Sequence, residues 1–238
     1  MTNKELKMKV FSHLATYKIN ILKIPQNGEY RGKSYAHILP KENLKSNFLE
    51  GVTILIDIHL HMYAHHLNSS QVMCINFFQP LICNNDGKAL LLTILEKTGA
   101  INLPQNARIE EVSFEKVFCS NEDTNFDFYI KLVTGEQVFF EIKYTEDGFG
   151  KIHPDKNNPT KYQDKWGNIY KNHISSSLLL KEINQNDFYA NYQIWRNVSF
   201  IKKESDYVVF IFPFENEKAL KEIQNTVETN GKIIMCML

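Results

Sequence analysis

The chain has 238 residues, of which 43% are hydrophobic, and its 27 basic and 27 acidic side chains give a formal net charge of zero. This length and composition predict a globular protein with a buried core, and the charge balance argues against a protein that coats nucleic acid non-specifically. The four cysteines are scattered without a Cys-x-x-Cys pair, so we expect reduced thiols in a cytoplasm and no structural zinc site.

Neither a secretory leader nor a membrane span is expected. Lys4, Lys7 and Lys9 interrupt the apolar run that a signal peptide needs. The apolar stretch 54–67 carries Asp57 and several histidines, and it is too short and too polar to cross a bilayer. We therefore expect a soluble cytoplasmic protein without membrane contact.

Residues 1–106 are predicted to form a mainly helical region that packs on the rest of the chain. The region opens with a short helix or a strand, followed by a Pro-Gln-Asn-Gly turn at residues 25–28. The Arg-Gly-Lys-Ser stretch at residues 31–34 lacks the spacing of a phosphate-binding loop. We interpret it as a basic loop in which Arg31 and Lys33 are candidate nucleic-acid contacts.

Three helices are predicted between residues 41 and 97. Apolar positions recur at helical spacing from Lys41 to Leu67. A second helix begins after the capping stretch Asn68-Ser69-Ser70 and extends to Pro80, and a third extends from Gly87 to about Lys97.

Histidines are concentrated at the end of the first predicted helix. Asp57, His61 and His65 are four residues apart and would share one helix face, with His59 and His66 nearby, as metal ligands can. No His-Glu-x-x-His motif accompanies them, and helix histidines are more commonly solvated or hydrogen-bonded. A helical histidine metalloenzyme is kept as an alternative for the function, although these two observations argue against it.

The composition changes after residue 106, and residues 107–238 are predicted to form an α/β domain around a mixed sheet, continuous with the first region. A strand at Glu111–Phe118 is followed by a hairpin and by a polar segment, 145–170, whose length is typical of functional loops. The remaining predicted elements are a helix at 187–201, a buried strand at 207–212, a helix at 215–228 and a strand at 232–237.

The stretch Asn125–Tyr144 has the pattern of a β-hairpin, because two alternating runs flank the turn Thr134-Gly135-Glu136. The alternation places Asp127, Glu141 and Lys143 on one face and brings the two carboxylates close together. Like charges repel across a sheet, so this patch favours a hard divalent cation such as Mg²⁺ or Mn²⁺. The residues predicted on the opposite, apolar face are Phe126, Phe128, Ile130, Leu132, Val138, Phe140, Ile142 and Tyr144.

This constellation resembles the PD-(D/E)XK nuclease superfamily, in which an Asp on one hairpin strand precedes Glu-x-Lys on the next. Asp127 and Glu141-Ile142-Lys143 match that pattern, and Phe126 stands where a Pro usually precedes the Asp. The resemblance implies a restriction-endonuclease-like core, with a mixed central sheet flanked by helices. Further matches to a restriction-endonuclease-like group are Asn68–Gln71, Phe114-Glu115, Thr124–Asp127, Glu141–Glu146 and Tyr192–Asn197.

The resemblance also implies roles for individual residues. Lys143 would orient the attacking water or stabilise charge that develops on the phosphate, and Gln193 would add a polar side chain from the helix after the polar segment. The candidate ligands for Mg²⁺, or for Mn²⁺ in its place, are Asp127, Glu141, the backbone carbonyl of Ile142, and Glu115. Arg196, Glu146, Gln71 and Asn76 are further polar candidates, and for each the alternative is a structural or solvated residue.

The predicted function is a metal-dependent endonuclease that hydrolyses DNA phosphodiester bonds, as a restriction-type or related defence nuclease. Its substrate would be double-stranded DNA, cut by a homodimer with one site for each strand. Lys151, Lys161 and Lys165 in the polar segment, with Arg31 and Lys33, are candidate phosphate contacts. The alternatives are a repair or structure-specific nuclease of the same fold and a non-catalytic nucleic-acid-binding module.

Overall fold

Five strands form the central sheet of the protein. The computed structural model describes residues 2–52, 58–97, 101–118, 120, 122, 125–152, 158, 160–180, 183–226 and 233–237. The first three strands along the sheet pair antiparallel, and the third, fourth and fifth pair in parallel, so the sheet is mixed, as predicted. In sheet order the strands are β3 (Ile109–Lys116), β4 (Phe126–Leu132), β5 (Gln137–Ile142), β6 (Tyr207–Phe212) and β7 (Ile233–Met237).

The hairpin of β4 and β5 has the predicted position and turn. Phe128 pairs with Phe140 and Ile130 with Val138. The turn closes through a hydrogen bond from the Gly135 amide to the Leu132 carbonyl at 2.9 Å. Gly135 has a φ of 96°, a conformation that residues with a Cβ rarely adopt. The hairpin prediction is therefore confirmed, including the residue at which the chain reverses.

Each face of the sheet carries its own apolar layer. Phe128, Phe140 and Val209 belong to the layer that contains the helical residues Phe78 and Leu91. The other layer is formed by Tyr129, Phe139, Val208, Phe210 and Phe212, with Phe188, Ile194 and Ile223 from the C-terminal helices.

One residue of the hairpin departs from the predicted alternation. Phe126 was expected beside Phe128, but it packs in the layer of Phe139 on the opposite side. Its ring lies at the start of β4, where the Arg196 guanidinium carbon sits 4.2 Å from the ring centroid. Contact with this cation and with the ring of Phe200 places Phe126 on that side.

Two helices on one face were predicted within about two residues. Helix α2 (Ser70–Ile82) begins at Ser69, whose side chain accepts a hydrogen bond from the Val72 amide at 3.4 Å, as an N-cap residue does. Helix α3 (Asn85–Lys97) follows directly, and both contribute to the layer over β4, β5 and β6. The amphipathic spacing was a sufficient signal because both helices bury one apolar stripe.

Before α2 the chain forms helix α1 (Asn3–Asn20) and a small hairpin of β1 (Gly28–Tyr30) and β2 (Lys33–Tyr35). The opening segment is thus a helix rather than a strand. Lys18 of α1 is fully buried, and its ammonium group donates to the Gln26 carbonyl at 2.6 Å, to the Asn27 side chain at 2.9 Å and to the Ile38 carbonyl at 3.3 Å. These bonds hold α1 against the hairpin.

The helix predicted from Lys41 to Leu67 is wrong. A 3₁₀ helix occupies Lys41–Asn47, and residues 58–67 form turns and irregular backbone, while residues 53–57, with Asp57 among them, lie outside the described residues. Asn47 donates from Nδ2 to the Ala64 carbonyl at 2.7 Å and to the His66 carbonyl at 2.8 Å. Such side-chain bonds compete with helical hydrogen bonds for the same backbone groups.

After β5 the chain forms several short helices. The helix predicted at 187–201 is divided in two at Asn191, whose backbone has φ −128° and ψ 43°. The strand predicted at 207–212 is confirmed as β6. The helices are α4 (Lys161–Lys165), a π-helical turn (Trp166–Tyr170), α5 (Lys171–Ser176), α6 (Gln185–Ala190), α7 (Tyr192–Val198) and α8 (Glu217–Thr226).

Among the described residues, every helix is too short or too polar to cross a membrane. The predicted division of the chain at residue 106 remains a prediction.

Candidate active site

The sheet places the two central carboxylates side by side. The pairing of β4 with β5 ends at Phe128 and Phe140, and Asp127 and Glu141 are the next residues on the two strands. Both carboxylates line the same small cavity. Asp127 accepts a hydrogen bond at Oδ2 from the Ile142 backbone amide, at 2.6 Å. This bond fixes the carboxylate at the open end of the hairpin.

Lys143 lies directly beyond β5 and pairs with Glu141. Its Nζ is 2.7 Å from Glu141 Oε1, and both side chains are about nine-tenths buried, with exposed fractions of 10% and 8%. The Lys143 amide donates to the Ile211 carbonyl at 2.8 Å, which continues the ladder between β5 and β6. Burial alone would lower the pKa of Lys143, but Glu141 and Asp127 raise it above its ordinary value, so the ammonium group stays charged.

Helix α7 holds Glu141 from the other side. Asn197 donates from Nδ2 to Glu141 Oε2 at 2.9 Å. Asn197 in turn accepts a hydrogen bond from Arg196 Nη1 at 2.9 Å, and Arg196 Nε donates to Glu122 Oε1 at 2.9 Å. Since all these side chains are buried, the Glu141 carboxylate is held by Lys143 on one oxygen and by a buried polar chain on the other.

Sequence reasoning did not identify Asn197 as a site residue. The Arg196-Asn197 pair belonged to a matched motif, but only Gln193 and Arg196 of that motif were considered for a role. The available signal was an Asn next to a positive charge at the end of an apolar helix, and the contact with Glu141, 56 residues away in the chain, appears only in the folded protein.

Gln193 is hydrogen-bonded to the backbone of Gly150, in the segment that follows β5. Its Oε1 accepts from the Gly150 amide at 2.6 Å, and its own amide donates to the Gly150 carbonyl at 3.1 Å. Gln193 lines a cavity of about 200 Å³ together with Asp127, Glu141 and Lys143. The structure therefore brings the predicted Gln193 to the same cavity, with its side-chain oxygen bound to backbone.

Glu115 lies on β3, next to β4, and has a φ of 51°. The side chain of Asn125 donates to its Oε2. Burial raises the pKa of Glu115 to about 7, and the charge of Glu141 acts in the same direction, against the hydrogen bonds of Gln71 and Asn125. Gln71, one of the polar candidates, thus reaches the site from α2.

Asp127 is also half-buried, and its pKa is shifted in the same direction as that of Glu115. Burial raises its pKa well above the ordinary value, and Glu141 adds to the shift, while Lys143 and the Ile142 amide oppose it. Burial and the neighbouring carboxylates thus favour the protonated forms of Asp127 and Glu115. Metal binding to such groups displaces protons, so the affinity for a cation rises with pH.

The donor set fits a hard divalent cation. Asp127, Glu141 and Glu115 offer carboxylate oxygens and Ile142 a carbonyl, which are the ligands that Mg²⁺ and Mn²⁺ prefer. No group of three or more His, Cys, Asp or Glu side chains is preassembled around one point among the described residues. Mg²⁺ in proteins commonly uses only one or two carboxylates with substrate phosphate, which Asp127 and Glu141 suffice to provide.

The histidines are arranged differently from the prediction. His61 and His65 do not share a helix face, because residues 58–67 are not helical. The His61 Nδ1 accepts from the Tyr63 amide at 3.2 Å. The geometric premise of a helical histidine metal site is therefore wrong.

The candidate phosphate contacts differ in their surroundings. Arg31, Lys33 and Lys151 are exposed. Lys165 donates to the Glu122 carbonyl at 2.8 Å, so it also fastens the segment before β4. Lys161 is half-buried, with its Nζ 5.5 Å from the centroid of the Tyr162 ring. Contact of these five residues with nucleic acid remains a prediction.

Comparison with known proteins gives one finding. A family model described as Restriction Endonuclease associating with ARP matches residues 12–232, a range that includes β4, β5 and α7. No protein of curated function and no solved structure matches the chain.

Proposed function

The chain belongs to the family Restriction Endonuclease associating with ARP, and from this premise we propose that it is a Mg²⁺-dependent endonuclease that hydrolyses phosphodiester bonds in double-stranded DNA. The observation that carries the proposal is the buried cluster of Asp127, Glu141 and Lys143 at the open end of one hairpin. Two carboxylates that share a polar cavity with a charged lysine supply both cation ligands and positive charge for a phosphate.

Each residue has a separate task in this proposal. Asp127 and Glu141, with the Ile142 carbonyl and Glu115, would hold the cation. When bound, Mg²⁺ or Mn²⁺ would polarise the phosphate and lower the pKa of the attacking water. Lys143 contributes an ammonium group that stays protonated at neutral pH and faces the same cavity, where it would stabilise negative charge that develops on the phosphate.

The buried chain from Glu122 through Arg196 to Asn197 keeps the Glu141 carboxylate in one orientation. Ligands held in this way need not be reordered when the cation and the phosphate enter, and such outer contacts strengthen metal binding. We propose that Asn197 is a positioning residue for this reason.

Three further parts of the proposal concern the biological setting. We propose that the activity serves restriction or a related defence against foreign DNA, as the family description suggests. Cutting both strands of a symmetric site would require two active sites, which a homodimer supplies. We place the protein in a cytoplasm, where thiols such as those of Cys74 and Cys83 stay reduced.

The test is incubation of long duplex DNA with the protein and Mg²⁺, beside EDTA and beside Asp127→Asn. Asparagine has nearly the same shape as aspartate but lacks the charge that binds a cation. Discrete fragments that disappear in both controls would support a restriction-type endonuclease, and a smear with the same dependence would support a nuclease without sequence specificity. No cleavage of duplex, branched DNA or RNA with Mg²⁺ or Mn²⁺ would favour a non-catalytic binding module.

A further inference from the structure

A cleft of about 670 Å³ lies beside the candidate active site. Asp127 and Glu115 line one wall. The aromatic residues of the lining, here called the aromatic wall, come from the N-terminal region, with Tyr30, Tyr63 and His66 among them. Ligand pockets commonly have volumes of about 300 to 1,000 Å³, so the cleft has room for a nucleotide.

The rings of the aromatic wall support each other in fixed orientations. Tyr30 packs edge-to-face against Tyr63 at 5.0 Å and against His66 at 5.3 Å between centroids. Tyr63 and His66 lie 5.1 Å apart. Tyr30 and Tyr63 are only half-buried. A continuous set of aromatic rings that stays accessible offers flat apolar surface to a planar ligand.

Two polar atoms in the same cleft lack partners. Within the described part of the chain, neither Nε2 of His66 nor Oδ1 of Asn68 makes a hydrogen bond, although both atoms are buried. Asn68 is fixed by its other end, because Nδ2 donates to Thr145 Oγ1 at 2.9 Å. Burial and the neighbouring imidazoles lower the pKa of His66 to about 4, so its ring is neutral near pH 7. Buried polar atoms without a partner in the protein call for one from outside it, such as an ordered water or a bound ligand.

Positive charge lies next to the aromatic wall. The guanidinium carbon of Arg31 is 5.1 Å from the centroid of the Tyr30 ring, and both Arg31 and Lys33 are exposed at the tip of the β1–β2 hairpin. The hairpin therefore presents cations at its tip and tyrosines along the cleft. Rings interleaved with cations are the pattern with which proteins bind unpaired nucleotides.

We propose that this cleft binds an unstacked nucleobase of the DNA substrate, next to the phosphate that is cut. The base would stack on the aromatic wall and bond through its polar edge to Asn68 and His66, while its backbone continues to Asp127. Enzymes that draw a nucleotide out of a duplex favour sites where a base is already unpaired, because unpairing costs energy. This inference rests on the proposed nuclease function and adds the form of the substrate.

The test compares two fluorescein-labelled duplexes that differ only in one unpaired central nucleotide, with binding measured by anisotropy in EDTA so that no cleavage occurs. We expect the wild-type protein to bind the duplex with the unpaired nucleotide about tenfold more tightly, the size of one base–aromatic stack. Tyr63→Leu should abolish the preference and Tyr63→Phe should keep it. Tyr17→Leu, a half-buried tyrosine of α1 outside the cleft, is the matched control.

Melting curves show whether each variant folds. If Tyr63→Leu does not fold, the binding preference of Tyr30→Leu decides the result. Equal affinity of the wild-type protein for both duplexes, or a preference that survives both leucine variants, would overturn the inference. Cleavage of the fully paired duplex in Mg²⁺ is measured on the same preparations. If the protein cleaves DNA but shows no preference for the unpaired nucleotide, this inference alone is rejected. If the protein neither binds nor cleaves DNA, the proposed function is rejected as well.

Discussion

The sheet and the N-terminal region face each other across the large cleft, but they hold their side chains by different means. Glu141 occupies a regular strand, so the alternation of the backbone sets its direction. Asp127 lies where the alternation of β4 breaks, and the Ile142 amide holds its carboxylate. Tyr63 and His66 lie on irregular backbone that is tied down by hydrogen bonds from the side chain of Asn47.

The residues proposed to act in cleavage are thus different from the residues that stabilise the surrounding backbone. On the sheet side, apolar layers on both faces stabilise the strands, and the charged residues are added at one end. On the N-terminal side, a few buried polar groups such as Lys18 and Asn47 replace the missing backbone ladder. We therefore expect substitutions in the supporting polar groups to change stability, and substitutions at the end of the sheet to change metal binding and cleavage.

The largest change in stability is expected for Arg196→Met. The Arg196 side chain is 2% exposed and its partner Glu122 is fully buried, so the variant leaves an uncompensated charge. Breaking a buried pair in this way costs about 3–5 kcal/mol, measured as the free energy of unfolding in urea. The exposed Arg108→Met is the control. Glu122→Gln/Arg196→Met should recover part of the loss, and a cost below about 1 kcal/mol for the single variant would contradict the account.

A smaller change in stability is expected for Asn47→Ala, on the N-terminal side. The variant leaves the carbonyls of Ala64 and His66 without their donor, at a cost of about 1–3 kcal/mol for a buried group left unpaired. Asn43→Ala, in the same 3₁₀ helix, provides the control in the same urea titration. If Asn47→Ala unfolds at the wild-type urea midpoint, the hydrogen bonds of Asn47 do not stabilise the aromatic wall. The contrast drawn between the sheet and the N-terminal region would then be wrong.

Asn197→Ala is expected to affect function more than folding. Glu141 keeps its bond with Lys143 but loses the one to Asn197, so its carboxylate is free to turn. Loss of such an outer contact commonly weakens metal binding or activity by about 10- to 100-fold. The measurement is the Mg²⁺ concentration that gives half-maximal cleavage, with the exposed Asn172→Ala as the control. An unchanged Mg²⁺ midpoint would remove Asn197 from the site.

The smallest expected effect is the pH dependence of stability that His66, in the aromatic wall, contributes. The pKa of His66 is lowered to about 4 in the folded protein, so the unfolded chain binds this proton first as the pH falls. The stability that His66 contributes is therefore present above its ordinary pKa of about 6.5 and is lost as the pH falls toward 4. The melting temperature of His66→Phe should fall less between pH 7 and pH 5 than that of the wild type or of the exposed control His13→Phe. An equal fall in melting temperature for His66→Phe and the wild type would contradict the lowered pKa of His66.

The sheet side was predictable from sequence because its signals are local. Alternation at Phe128 and Ile130, the glycine turn at Gly135 and the apolar run of β6 each specify backbone within a few residues. The same hairpin carries Asp127, Glu141 and Lys143, on which the resemblance to restriction-endonuclease-like nucleases rests, and the family match confirms that resemblance.

The rest depends on contacts between distant parts of the chain. The apolar spacing after Lys41 satisfied a helical pattern, but the bonds of Asn47 to residues about 17 to 19 positions away gave the backbone a different set of partners. The bond of Asn197 to Glu141 and the facing of Tyr63 toward Asp127 across the cleft also arise only on folding. Local patterns carry no record of such pairs.

The central claim, that the end of the β4–β5 hairpin cuts DNA, is tested most directly by the single-turnover rate of duplex cleavage in Mg²⁺ for Lys143→Ala. Lys131→Ala is the matched control, because Lys131 belongs to the same hairpin but forms a surface pair with Glu110 at 2.8 Å. We expect Lys143→Ala to lose about 100-fold or more in rate, the scale for removal of one group that stabilises transition-state charge, while Lys131→Ala cuts near the wild-type rate. Cleavage by a folded Lys143→Ala protein at the wild-type rate would contradict the assignment of the active site.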